Sequence, residues 1–156
     1  MREPRSEILL VEDDPNDVEL TLLAFKRNHI TNRVHVAADG DAALDFLFCT
    51  GPHAGGSVED RPKLVLLDLN LPTISGRDVL RRIKTDPRTR SIPVVILTSS
   101  SHARDLQETY DLGANSYIVK PVDFEQFSRV VRALGEYWML INRPPIAPTT
   151  AGSDEI

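Results

Sequence analysis

Short apolar runs alternate along the chain with longer stretches in which apolar residues recur every three or four positions. The runs are Ile8 to Val11, Val34 to Ala37, Leu64 to Leu67, Val94 to Leu97 and Tyr117 to Val119. Unbroken apolar strands of this length suit a sheet covered on both faces, because a half-exposed strand would alternate apolar with polar. Strands separated by helices predict parallel pairing through right-handed crossovers, and so a doubly wound α/β fold with five strands and five helices.

Each helix has its punctuation. Asp14-Pro15 reads as an N-cap followed by a first helical residue, with Val18, Leu22 and Phe25 as the inward stripe. A second helix is expected from about Asp41 to Cys49. Ser75 or Gly76 opens a third, with Val79, Leu80 and Ile83 facing inward. Ser101 is the expected cap of a fourth, which Gly113 ends. Its stripe of Ala103, Leu106 and Tyr110 is thin, so this helix should be the least firmly held. Asp123 with Gln126 makes a capping-box-like start to the fifth. Phe124, Phe127, Val131, Leu134, Trp138 and Ile141 give that helix a strong apolar face. Residues 50–60 are rich in turn formers and predict an extended surface loop. Residues 142–156 carry three prolines and few apolar side chains, the pattern of a tail that is disordered or docked on a partner. The expected division is an extension over 1–6, one domain over 7–142 and a flexible tail over 143–156.

Composition narrows the function. Hydrophobic residues make up 41% of 156, enough for a real core. With 18 basic and 23 acidic side chains the net charge is −5, a poor match to nucleic acid, which calls for clustered Lys and Arg. Cys49 is the lone cysteine and reads as core filler. No run approaches the roughly 18 apolar residues of a membrane span, and residues 1–7 hold no apolar segment, so a soluble cytoplasmic protein is expected.

The chemistry lies where strands end. In an open parallel sheet functional groups gather at the carboxyl ends of the strands. Glu12 and Asp13, Asp68, Thr98 and Lys120 each close a predicted strand. Acids crowded at one edge repel one another, and a hard divalent cation relieves that repulsion. Asp13 and Asp68 are the expected ligands of magnesium, with the Asn70 carbonyl as a third. A carboxylate is also a nucleophile toward phosphorus. Lys120 would then neutralise phosphoryl charge and Thr98 would donate a hydroxyl hydrogen bond. Lys120-Pro121 is a candidate cis peptide that would hold the ammonium in place. Singly, such residues have plainer readings. Asp14 is a helix cap, Tyr117 a half-buried strand aromatic and His35 a strand residue. His29, His35, His53 and His102 show no metal-ligand spacing. Arg77, Arg81, Arg82, Lys84, Arg88 and Arg90 read as a solvated basic face, with attraction to an acidic partner as the alternative.

Taken together, the motifs resemble the receiver domain of two-component response regulators. The matching pieces are Ile8-Leu-Leu-Val-Glu12-Asp13-Asp14, Leu66-Leu-Asp68-Leu-Asn70-Leu-Pro72 with Ser75-Gly76, Val95-Ile-Leu-Thr98-Ser99, and Gly113-Ala with Tyr117 and Lys120-Pro121. They span about residues 7 to 135. The resemblance implies a flavodoxin-like sheet of order 2-1-3-4-5. It implies Asp68 as phosphoacceptor for a sensor histidine kinase, Glu12 and Asp13 as the acidic pair around Mg2+, Thr98 and Tyr117 as a switch pair, and Lys120 as counter-ion. Glu12 stands where Asp is commoner in the family, which still allows metal binding through water. Gly135-Glu-Tyr-Trp-Met-Leu-Ile-Asn-Arg-Pro-Pro145 is similar to the tail of small receiver-only regulators that partner bacterial phytochrome kinases.

No DNA-binding module fits after residue 145, since one requires roughly 60 more residues. Output is therefore expected through the receiver surface. Met139 and Leu140 fall off the inward stripe of the fifth helix, which suggests a homodimer contact. Leu20 and Leu23 fall off the first helix's stripe and suggest a kinase-docking face. Two alternatives use related folds. A haloacid-dehalogenase-like phosphatase would want an acid two residues after Asp68, where Asn70 stands. A flavodoxin-like cofactor binder would want a Ser/Gly-rich loop where Glu12-Asp13-Asp14-Pro15 stands.

Overall fold

A computed structural model describes residues 6–57, 60–120 and 123–141. Five parallel strands lie in the order β2-β1-β3-β4-β5: β1 (Ile8–Val11), β2 (Val34–Ala37), β3 (Leu64–Leu67), β4 (Val94–Thr98) and β5 (Ser116–Val119). The helices are α1 (Pro15–Arg27), α2 (Gly40–Phe48), α3 (Gly76–Thr85), α4 (Ala103–Asp111) and α5 (Phe124–Gly135). Glu136–Ile141 continues α5 as a π-helical stretch. Among the described residues no helix is long and apolar enough to cross a membrane.

Alternation along the strands sorts the core into two layers. Leu9, Val11, Val65, Leu67, Val94 and Ile96 face one side, where Phe46 and Leu47 of α2 and Val79, Leu80 and Ile83 of α3 cover them. Ile8, Leu10, Leu64, Leu66, Val95 and Leu97 face the other, under Phe25 of α1 and Phe127, Val131 and Leu134 of α5. β1 and β3 are buried at every position, which explains their uninterrupted apolar sequence. Pairing is in register, with Val11 opposite Leu67 and Ala37, so β1, β2 and β3 end level with one another.

Caps follow the sequence at Asp14, Ser75 and Asp123, while α2 starts at Gly40 with a cap, Asp39, that the sequence reading did not name. The side chains of Asp14, Asp39, Ser75 and Asp123 each accept a backbone N–H from the first turn. At α4 the expectation fails. Ser101 lies one residue too early, the cap position belongs to His102, and no side chain caps it. The expected α4 stripe is also wrong. Ala103 is exposed, as are Leu106 (40%) and Tyr110 (46%), and Thr109 is the buried residue. Polar contacts set the rotation of this helix, because Asp105 and Glu108 turn toward Arg77 of α3. On α1, Leu22 is 38% exposed although a stripe position, while Thr21, Ala24 and Phe25 are buried. Asn28, just beyond that helix, donates to the carbonyl and hydroxyl of buried Ser128, at 3.1 and 3.0 Å. Cys49 is not core filler: it is half-buried and caps α2 in the left-handed region, φ 56°. Within the 50–60 segment, Gly51–His53 forms a single 3-10 turn with no buried residue. The basic face is divided rather than continuous. Arg77 pairs with Asp105 and Glu108, while Arg82 and Arg88 each lie 5.4 Å from the Phe48 ring centroid.

Two glycines permit close approaches. A Cβ on Gly76 would stand 2.2 Å from the Asp68 carbonyl oxygen and 2.6 Å from the Leu69 Cα, so α3 starts directly against the chain leaving β3. A Cβ on Gly135 would stand 2.3 Å from Ile30 Cδ1, where the end of α5 passes the segment between α1 and β2.

Candidate functional site

The carboxyl ends of β1, β3, β4 and β5 share one edge of the sheet, and the strands deliver their terminal side chains there. The Asp68 N–H donates to the Val11 carbonyl at 3.1 Å, which extends the β1–β3 ladder to the acid itself. The Lys120 N–H donates to the Thr98 carbonyl at 2.7 Å and does the same for β4 and β5. The backbone under each functional side chain is thus held by sheet hydrogen bonds rather than by a loose loop.

Asp68 is 7% exposed. Its Oδ1 accepts from the Thr98 hydroxyl at 2.9 Å and from the Asn70 N–H at 3.1 Å. Its Oδ2 accepts from Lys120 Nζ at 3.2 Å. These contacts fix the rotation of the carboxylate. Glu12 is buried at 3% exposure and contacts Lys120 Nζ directly. Its other oxygen accepts the Asp14 N–H at 3.3 Å. Asp13 is exposed at the mouth. Thr98 is fully buried, and half-buried Tyr117 donates its hydroxyl to the Ser100 carbonyl at 2.9 Å.

One ammonium faces three carboxylates here. Burial pushes Glu12 up to about 7; the Lys120 hydrogen bond pulls it down and the Asp68 charge pushes it up again. Burial also opposes charge on Lys120. The hydrogen bonds to Glu12 and Asp17 and the charge of Asp68 outweigh it, and they hold the ammonium above its ordinary range. A single positive charge does not neutralise three acids, so the cluster retains a demand for cations. Carboxylate oxygens of Glu12, Asp13 and Asp68 lie within 4.8 Å of one another. An all-oxygen donor set of this spacing matches a hard divalent ion.

The sequence reading brings Glu12, Asp13, Asp68, Thr98 and Lys120 together, and the fold assembles them. It missed Asp17, whose carboxylate accepts from Lys120 at 2.9 Å. An acid in the first turn of a helix reads as a companion to the N-terminal dipole, and that ordinary role hid it. It also missed Ser100 and Asp105, which bond to each other beside the Tyr117 hydroxyl. The Lys120-Pro121 bond lies outside the described residues, and so do the side chains of Met139 and Leu140 and the tail over 143–156.

Residues 8–132 match the family described as "Response regulator receiver domain". The chain is 45% identical over 138 residues to the probable methanogenesis regulatory protein FilR2 of Methanothrix harundinacea (strain 6Ac), covering 88% of this chain and 86% of that relative. It is 37% identical over 136 residues to response regulator Rcp1 of Synechocystis sp., covering 87% and 90%. A crystal structure of Rcp1 in its Mn2+-bound form superposes with a TM-score of 0.81 at 35% identity, over 90% of this chain and 99% of that one. The phosphorylated cyanobacterial phytochrome response regulator RcpA gives a TM-score of 0.83 at 38% identity, over 90% and 99%. The chain belongs to the response regulator receiver family, a family of signalling proteins, and is homologous to its single-domain members. Neither the dehalogenase-like phosphatase nor the flavodoxin-like cofactor binder has support.

Proposed function

We propose that this receiver takes a phosphoryl group from a phosphohistidine of a sensor kinase onto Asp68 and signals through the surface change that follows. The observation that carries the reading is the convergence of Lys120, Thr98 and the Asn70 N–H on the Asp68 carboxylate. In the transfer an Asp68 oxygen forms a bond to phosphorus while the bond from phosphorus to the kinase imidazole breaks. The bonding pair stays on the imidazole nitrogen. Such a transfer needs alignment and charge neutralisation more than covalent help. Lys120 supplies positive charge beside the acceptor, and Thr98 holds a hydroxyl ready for a phosphoryl oxygen. Thr98 and Tyr117 form the switch pair, since both reach the segment between β4 and α4. Catalysis by this chain is limited to its own phosphorylation and dephosphorylation.

Glu12, Asp13, Asp68 and the Asn70 carbonyl are the residues that would hold Mg2+. When bound, the ion neutralises charge on the acids and on the phosphoryl oxygens. The oxygen-only donor set and the Mn2+-bound form of a 35% identical relative support this assignment.

The test is Mg2+-dependent labelling by acetyl phosphate, or binding of beryllofluoride. Asp68→Asn is expected to abolish both while leaving the fold intact by circular dichroism. Labelling of that variant at the normal level would refute the assignment. For the partner, the similarity to RcpA and the Gly135 to Pro145 segment favour a bacteriophytochrome kinase. Phosphotransfer from such a kinase, faster than from an unrelated one, checks this. A homodimer through the end of α5 is part of the same reading: Tyr137 is exposed there, and the pattern places Met139 and Leu140 off the inward stripe. Met139→Glu with Leu140→Glu is expected to yield monomers in sedimentation. The receiver unit is taken as residues 7–142, acting in the cytoplasm.

A further inference from the structure

We infer that Arg77 and Asp105 are positioning residues for phosphoryl transfer, acting through Ser100 on Thr98 and Tyr117. The inference rests on the phosphoacceptor reading of Asp68 and goes beyond it, because neither residue touches the acceptor or the acidic cluster.

A continuous line of contacts carries the argument. Arg77 contacts Asp105 Oδ1 through Nη2, and its Nε lies 2.9 Å from Glu108 Oε2. The other oxygen of Asp105 accepts from the Ser100 hydroxyl. The Ser100 carbonyl accepts from the Tyr117 hydroxyl at 2.9 Å, and the Ser100 N–H reaches Thr98 Oγ1 at 3.5 Å. Thr98 Oγ1 in turn donates to Asp68 Oδ1 at 2.9 Å. The line is anchored at both ends near the same acid. Arg77 directly follows Gly76, the residue seated against the Asp68 carbonyl.

The packing makes this line consequential. Only Thr109 of α4 is buried, so apolar contacts do little to hold the segment between β4 and α4. His102 caps α4 without a side-chain bond of its own, and its N–H donates to the Ser100 hydroxyl oxygen at 3.4 Å, so the helix entry is restrained through Ser100. Asp105 and Arg77 supply that restraint. They fix Ser100 where it seats Tyr117 and keeps the Thr98 hydroxyl at the acceptor before a phosphoryl group arrives. Ordering a segment in advance strengthens binding of whatever requires that order.

Beryllofluoride titration in saturating Mg2+ tests this, with Mg2+ titration alone as the second readout. Ser100→Ala removes the hydroxyl link but leaves the Arg77 ion pairs. Asp105→Asn weakens both. Each is expected to weaken beryllofluoride binding roughly tenfold, the size of one lost charge-assisted contact, with Mg2+ affinity held within about twofold. Ser100→Thr keeps a hydroxyl and is expected to restore binding. Unchanged or tighter beryllofluoride binding in Ser100→Ala and Asp105→Asn overturns the inference. So does a parallel loss of Mg2+ affinity, which would mark general loosening. A wild-type chain that binds no beryllofluoride brings down the phosphoacceptor reading and this inference with it. Normal wild-type binding with indifferent variants overturns the positioning role alone.

Discussion

α3 and α4 flank the same site, have 10 and 9 residues, and are held by different forces. α3 buries Gly76, Val79, Leu80 and Ile83, and its Ser75 cap is made. α4 buries Thr109 alone, leaves Leu106 and Tyr110 in solvent and lacks a side-chain cap. Apolar burial is stiff because close-packed side chains tolerate little displacement. Polar contacts at a surface are worth less and exchange readily with water. The site is thus built with one fixed wall and one adjustable wall. The fixed wall starts against the Asp68 carbonyl, and the adjustable wall reaches, through Asp105, the Ser100 that Tyr117 bonds.

The strongest challenge to this contrast is Leu80→Ala. Leu80 is fully buried between α3 and the sheet, so a loss of about 3 kcal/mol in denaturant unfolding is expected. A loss below about 1 kcal/mol would mean that α3 is no better packed than α4. Gly76→Ala comes next, at about 2 kcal/mol, because a methyl group there meets the Asp68 carbonyl and the Leu69 backbone. It is expected also to slow acetyl phosphate labelling, which a purely global loss of stability would not do under native conditions.

A smaller effect concerns how the far end of α3 is tied. Lys84 Nζ donates to the carbonyls of Arg90 and Ile92, at 3.0 and 2.8 Å, and to Asn115 Oδ1 at 3.1 Å. Burial without a carboxylate partner pushes this ammonium down from 10.5 to about 8. Between those values the unfolded chain binds more protons than the folded one, so stability gains as pH rises across the window. Below about 8 both states hold the proton, and the cost of burying the charge is present in full. Thermal midpoints of wild type and Lys84→Met, compared at pH 7.5 and at pH 10, are expected to shift in favour of wild type at the higher value. A pH-independent difference would show that the amine does not titrate in this range. The smallest effect is expected for Leu106→Ala, within about 0.5 kcal/mol, as for an ordinary surface change. A loss comparable with that of Leu80→Ala would erase the distinction between the two walls.

The same contrast explains what was legible in the sequence. Burial on both faces writes itself into β1 and β3 as unbroken apolar runs, and the acids at their ends could be read directly. The α3 face was legible for the same reason, since Val79, Leu80 and Ile83 recur at helical spacing and all three are buried. The α4 face was not. Its rotation is set by Arg77 meeting Asp105 and Glu108, a contact between elements that leaves no periodic trace in either one. Leu22 shows a related limit, because a leucine at a stripe position loses its place when Thr21 and Ala24 take the buried face. Asp17 escaped notice because the acid that helps bind Lys120 looks like any acid at a helix start. Cys49 was misread because apolar neighbours suggested depth where the chain was turning out of its helix.

The contact between Gly135 and Ile30 bears on packing at the end of α5. At that point α5 gives way to the π-helical stretch over Glu136–Ile141, and a methyl group at position 135 would meet the Cδ1 and Cγ1 atoms of Ile30. One absent carbon atom therefore gives the Ile30 side chain its seat against the helix where the helix changes pitch. Enlarging position 135 would turn the Ile30 side chain out of that seat, a cost in local packing alone.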